Sequence, residues 1–183
     1  MSVTGAQSAP NWCKSPLSPR ALQEFAAQPL SQLRILVDAD ACPVKEEIYK
    51  VAFRRNVCVS VVSNMRLRVP DHPLIERITV SDAFDAADDW IAARAGPRSV
   101  VITGDILLAD RCLKAGAAVL SGTGRAFTTA SIGSAVATRA IMADLRAGVP
   151  GGAAIGGPAP FTKADRSRFL QALDETLVRL VKL

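Results

Sequence analysis

Aromatic residues make up 5% of this 183-residue chain, histidine occurs once, and no apolar run approaches the ~20 residues that a membrane-spanning helix needs. The first thirty residues carry neither a basic start nor an apolar core, so they do not read as a secretory signal. Together these absences lead to the expectation of a soluble, cytoplasmic protein with no membrane partner. The four cysteines (Cys13, Cys42, Cys58, Cys112) form no CxxC pair, so neither a zinc site nor a disulfide framework is indicated. Few aromatics also mean no ready platform for stacking bases, because Trp90 and most of the phenylalanines fall at core-like spacing.

What is present is an apolar share of 49%, enough for one domain that buries about 70% of its unfolded surface without a staple. The formal net charge is +5. A mild basic excess of this kind permits nucleic-acid binding without demonstrating it. The acids are more telling: twelve are Asp and five are Glu. Asp is the poorer helix former, so solubility of helices alone would not select this ratio.

Residues 1–33 are rich in Ser, Pro, Gln and Ala without sustained periodicity and read as a flexible extension. The domain is expected over 34–183. Ile35-Leu36-Val37 is a β-branched and apolar run ending in Asp38-Ala39-Asp40. Pro43 then introduces a helix expected over Val44 to Arg55. Val57 to Val62 reads as a buried parallel strand, Asn64 to Pro73 as a basic loop, and Arg77 to Val80 as a third strand. A helix is expected from Ser81 or Asp82 to about Ala95, ended by Gly96-Pro97. Ser99 to Thr103 is the fourth strand, Asp105 to Ala115 a helix, and Ala117 to Leu120 the fifth strand. Gly122-Thr-Gly124 is a turn, and a helix follows from about Thr128. Five Gly and three Pro between Gly148 and Pro160 mark a linker or wrapped loop. Thr162-Lys-Ala-Asp165 has the spacing of a capping box and opens a final amphipathic helix. Strands alternating with helices predict an α/β domain with helices on both faces of a parallel sheet of about five strands, order 3-2-1-4-5.

In such sheets function gathers at the carboxyl ends of strands where strand order reverses. Two strands end in acids there, the first in Asp38 with Asp40 two residues on, the fourth in Thr103-Gly104-Asp105. The helix before strand four adds Asp82, Asp85, Asp88 and Asp89, of which 85, 88 and 89 are expected on one face. Crowded carboxylates repel and raise one another's pKa, a conflict that a hard divalent cation removes. Mg²⁺ or Mn²⁺ suits such an all-oxygen set, so Asp38, Asp40, Asp85, Asp88 and Asp105 are the candidate metal ligands. The plainer alternative is that Asp105 caps its helix and Asp82 and Asp85 answer a helix dipole. Lys45, Asn64, Arg66 and Arg68 follow strands one and two at the same edge and would suit a phosphodiester backbone; a solvated loop is the plainer reading. Cys42, before a helix, reads as a small buried hydrophobe.

Several stretches carry a resemblance. Asp38-Ala-Asp-Ala-Cys-Pro43, Arg68-Val-Pro70, Phe84-Asp85-x-x-Asp88, Thr103-Gly-Asp105-Ile-x-Leu-Ala109, Gly156-Gly-Pro158 and Asp165-Arg166 resemble the YaiI/YqxD family of bacterial proteins over about residues 34–175. That family is grouped by resemblance with PIN-like domains, three-layer αβα folds whose best-known members are Mg²⁺- or Mn²⁺-dependent ribonucleases. The resemblance implies that Asp38, Asp88 and Asp105 occupy the catalytic places, and Asp110 that of a further acid some PIN nucleases carry. The expected activity is a phosphodiesterase acting on RNA or single-stranded DNA; the alternative is a non-catalytic nucleic-acid-binding module. Asp38-x-Asp40 and Gly104-Asp105 also resemble haloacid-dehalogenase-type phosphatases, with Asp38 as nucleophile, Asp40 as acid, Asp105 as Mg²⁺ ligand and Ser63 on phosphate. Against that stand Pro43, which opens a helix where a flap is needed, and the absence of lysine between Lys50 and Lys114.

Overall fold

The computed structural model describes residues 33–40, 42–83, 85–134, 136–138 and 161–182. The extension expected up to residue 33, apart from Leu33 itself, and the Gly/Pro-rich stretch 148–160 lie outside the described residues.

The chain runs β1 (Arg34–Asp38), α1 (Lys45–Arg55), β2 (Cys58–Ser63), β3 (Ile75–Thr79), α2 (Ala86–Ala92), β4 (Ser99–Ile102), α3 (Ile106–Lys114), β5 (Ala118–Leu120), β6 (Ala126–Phe127) and α4 (Lys163–Val181). Residues 129–134 and 136–138 are also helical. The strands form one sheet of order β3-β2-β1-β4-β5-β6. All neighbours are parallel except β6, which returns antiparallel to β5. The chain leaves β1 for β2 and β3 on one side, then crosses back to β4 and β5 on the other. The reversal therefore falls between β1 and β4.

Alternation along β1 builds the two cores. Ile35 and Val37 face α1 and α4, packing with Ile48, Val51, Phe169, Leu173 and Leu177. Leu36 faces the other way, toward Ile91 of α2 and Leu108, Ala109 and Cys112 of α3. All three β1 residues are fully buried, as a central strand covered on both faces requires.

Four elements differ from the sequence expectation by more than a frayed end. β6 was not expected, because two residues carry no period; its hairpin turns at Gly124, whose φ of 79° suits glycine. β2 and β3 are shifted by a residue or two, which makes Ser63 the buried last residue of β2. The largest difference is α2, which begins at Ala86 rather than Ser81 or Asp82. Asp85 holds a left-handed φ of 59°, which no right-handed helix accommodates, so the helix starts after it. Phe84, which precedes it, lies outside the described residues. Elsewhere caps behave as the sequence implies. Thr162 and Asp165 form the capping box of α4, and Thr128 Oγ1 accepts from Ser131 N at 3.1 Å.

Candidate functional site

β1 ends in Asp38, and the neighbouring β4 is followed directly by Thr103. Thr103 Oγ1, on a residue 2% exposed, donates to Asp38 Oδ2 at 2.8 Å and accepts from Asp105 N at 2.9 Å. One buried hydroxyl thus ties the end of β1 to the segment that opens α3. Asp105 caps that helix, with Oδ1 accepting from Leu107 N at 2.6 Å and Leu108 N at 3.2 Å. The plainer reading of Asp105 as an N-cap is therefore correct as far as Oδ1 goes. A carboxylate has about four lone-pair sites on two oxygens, so capping does not exhaust it.

Asp40 turns toward β2, where Ser63 Oγ lies 2.8 Å from Asp40 Oδ1. Ser63 Oγ also accepts from Met65 N at 3.0 Å, fixing the first turn of the loop after β2. From the other side α2 brings Asp88 to the same edge. Burial pushes the Asp88 carboxyl up to about 6, with the charges of Asp38, Asp105 and Asp85 adding to the rise. Asp38 is raised as well, first by burial and then by the charges of Asp40 and Asp105, against the lowering effect of the Thr103 hydrogen bond. Asp38, Asp40, Asp85, Asp88 and Asp105 thus share one electrostatic neighbourhood. Among the described residues, no three of the carboxylate, thiol and imidazole groups stand as a ready-made coordination shell.

The acidic helix face expected from sequence is corrected in two ways. Asp85 precedes α2 and is exposed without capping it. Asp89 does not join Asp88 but forms an exposed ion pair with Arg111 at 2.7 Å. Asp110 pairs with Lys114 one turn along α3 at 2.7 Å, which accounts for it without the metal.

Of the candidate cations, Lys45 sits nearest β1: its Nζ donates to the Ala39 carbonyl at 3.1 Å. Asn64, Arg66 and Arg68 are exposed on the loop that leaves β2, whose Leu67 carbonyl accepts from Arg77 Nη1 of β3 at 3.3 Å. Cys42 is buried in the core beside them, and burial raises its thiol to about 11, which fits a packing role rather than a reactive one. The sequence reading missed Thr103 and Glu47. Thr103 was legible as a hydroxyl one strand away from Asp38. Glu47 was legible as a charge on the apolar face of α1, three residues from Val44 and four from Val51.

Fold and site together define a doubly wound α/β domain whose topological switch point is lined with carboxylates. The chain belongs to the YaiI/YqxD family: the family model described as "Uncharacterized BCR, YaiI/YqxD family" matches residues 36–179. A UPF0178 protein of Sphingopyxis alaskensis is 72% identical over 146 residues, covering 80% of this chain and 94% of that protein. UPF0178 proteins of Jannaschia sp. (strain CCS1) and Nitrobacter winogradskyi are 60% identical over 146 residues and 56% over 151, covering 93% and 94% of their own lengths and 80% and 82% of this chain. No solved structure matches the chain. Among the described residues, no helix is long and apolar enough to cross a membrane.

Proposed function

We propose that this protein is a divalent-metal-dependent phosphodiesterase acting on RNA or single-stranded DNA. The observation that carries the reading is that Asp38, Asp88 and Asp105, from three separate elements around the reversal between β1 and β4, lie close enough for their charges to raise the carboxyls of Asp38 and Asp88. The resemblance to PIN-like nucleases supports it. The donor set is all oxygen, short in reach and already burdened by its own repulsion, which suits Mg²⁺ or Mn²⁺. Asp38, Asp88 and Asp105 would hold the cation, with Asp40 and Asp85 as further oxygen donors. A cation bound there supplies Lewis-acid stabilisation of the charge developing on the phosphoryl oxygens.

The chain's own residues do the rest. Thr103 orients the Asp38 carboxylate. Asp88, whose carboxyl is pushed up to about 6 by burial and by its acidic neighbours, would give up its proton as the cation binds. Lys45, Asn64, Arg66 and Arg68 border the acids and bind the flanking phosphates.

The test is labelled RNA and DNA oligonucleotides incubated with Mn²⁺, Mg²⁺ or EDTA, run for binding and for cleavage, with Asp105→Asn alongside. Asn caps a helix as well as Asp does, so the variant removes the charge and keeps α3. Metal-dependent cleavage lost in Asp105→Asn is the expected result. Binding without cleavage means a non-catalytic module. No binding, with hydrolysis of a small phosphate monoester, means a phosphatase. Residues 39–44 alone separate β1 from α1, which leaves little room for a phosphatase flap.

A further inference from the structure

The contact between α1 and α4 contains more than packing requires. Glu47, on the first turn of α1, is 3% exposed. Its Oε1 accepts from Arg166 Nη1 at 3.0 Å, while its Oε2 is buried with no hydrogen-bond partner. An ion pair built for stability is normally bidentate and satisfied on both oxygens, since a buried charge is costly otherwise. Here the guanidinium spends one nitrogen on Glu47 and remains half exposed, at 50%. Glu47 is its one hydrogen-bond partner among the described residues. The Phe161 ring lies under it at 5.6 Å. Arg166 is therefore a cation with a fixed stem and an unspent planar fork, the form in which arginine recognises phosphate.

Its position is set by the turn after β5. A Cβ on Gly122 would come within 3.3 Å of Pro43 Cδ, and one on Gly124 within 2.7 Å of Phe169 Cα and 2.9 Å of the Arg168 carbonyl carbon. The turn is thus wedged between the opening of α1 and the first turns of α4. That brings the first turns of α4 to the carboxyl edge of the sheet, where α1 also opens and Lys45 Nζ touches the segment after Asp38. Arg66 and Arg68 are exposed on the loop after β2; the first turns of α4, with Arg166, lie against the turn after β5.

We propose that Arg166, held in place by Glu47, binds a backbone phosphate of the single strand on the β5 side of the acidic edge, opposite Arg66 and Arg68. Arg166 is a binding residue and Glu47 a positioning residue. This rests on the nuclease reading and extends the strand's path across the whole edge. A strand gripped on both flanks passes over the carboxylates rather than ending at them.

The experiment is fluorescence-anisotropy titration of a labelled DNA or RNA oligonucleotide with Mn²⁺ present, at a series of KCl concentrations, with melting curves as the control for folding. Arg166→Ala is expected to weaken binding about tenfold and to flatten the slope of log K against log salt by about 0.7, the contribution of one phosphate on a single strand. Glu47→Gln is expected to weaken binding severalfold with the slope unchanged, since it loosens the arginine without removing it. If Arg166→Ala does not fold, Arg166→Lys keeps a cation beside Glu47 and is read by affinity alone, expected about three- to tenfold weaker because the fork is gone. Wild-type affinity and slope in the Arg166 variants would overturn this inference and leave the nuclease reading standing. No metal-dependent binding by the wild type would overturn both.

Discussion

Asp38 and Asp105 share the hydroxyl of Thr103, the carboxylate of the first accepting from it at 2.8 Å and the backbone N–H of the second donating to it at 2.9 Å. The two acids are therefore registered to each other by a neutral side chain that directly follows β4. Thr103→Val keeps the shape and removes both bonds. It leaves a part-buried acceptor on Asp38 and a part-buried donor on Asp105 unmet, at a cost of about 1 kcal/mol. The expected readout is a melting temperature lowered by several degrees in metal-free buffer, with Thr103→Ser close to wild type. Equal stability of the Val variant would mean that the bridge does not organise the edge.

Asp88 predicts a pH dependence of definite sign. Its native carboxyl sits at about 6 against an ordinary 3.8. Between those values the native state binds more protons than the unfolded chain, so stability falls as pH rises through that window. Asp88→Asn removes this loss. Its metal-free melting temperature should exceed wild type at pH 7, by the equivalent of about 1 kcal/mol once solvent screening of a half-buried group is allowed for. Below pH ~4 the two should converge. Saturating Mn²⁺ should reverse the order at pH 7, because the wild-type carboxylate then has a partner.

Much of this was legible in the sequence. Strand order, both cores and the placement of Asp38 and Asp105 follow from apolar runs alternating with helical spacing, the first and fourth strands each running into a recognisable acid. The opening of α2 was not legible, because Ser81 and Asp82 are good caps and nothing local signals that Asp85 adopts a left-handed conformation. Nor was the pairing of Asp89 with Arg111, which depends on how α2 lies against α3. β6 was hidden by its two-residue length. Glu47 and Arg166 are 119 residues apart, and no spacing rule joins them.

Two glycines separate close packing from open space. Gly124 has φ +79°, and a Cβ there would lie 2.7 Å from the backbone of Phe169, while Gly104 has nothing within 4 Å of an added Cβ. Gly124→Ala should cost at least the ~1–3 kcal/mol of a left-handed non-glycine residue and displace α4 as well. Gly104→Ala should stay within about 0.5 kcal/mol of wild type, as surface changes away from such features do. Urea denaturation of both variants makes the comparison. A tolerated Gly124→Ala would mean that α4 does not rest on the β5–β6 turn.

The loop after β2 gives the last test, because its cations are exposed whereas Lys45 is partly engaged. Arg66 and Arg68 are exposed and make no hydrogen bond or ion pair among the described residues, so their removal should leave the fold untouched and act on binding alone. An acidic edge by itself repels a phosphodiester; a bound divalent cation and a basic rim reverse the local sign. Oligonucleotide binding should therefore be abolished by EDTA and weaken with salt. Arg66→Ala and Arg68→Ala should each reduce the salt slope by about 0.7 on a single strand while leaving the melting temperature unchanged. Lys45→Ala should do the same and also lower the melting temperature slightly, since its ammonium holds the Ala39 carbonyl. Filter binding across a salt series reads all three. A slope that is unchanged in the loop variants would place the strand elsewhere on the edge.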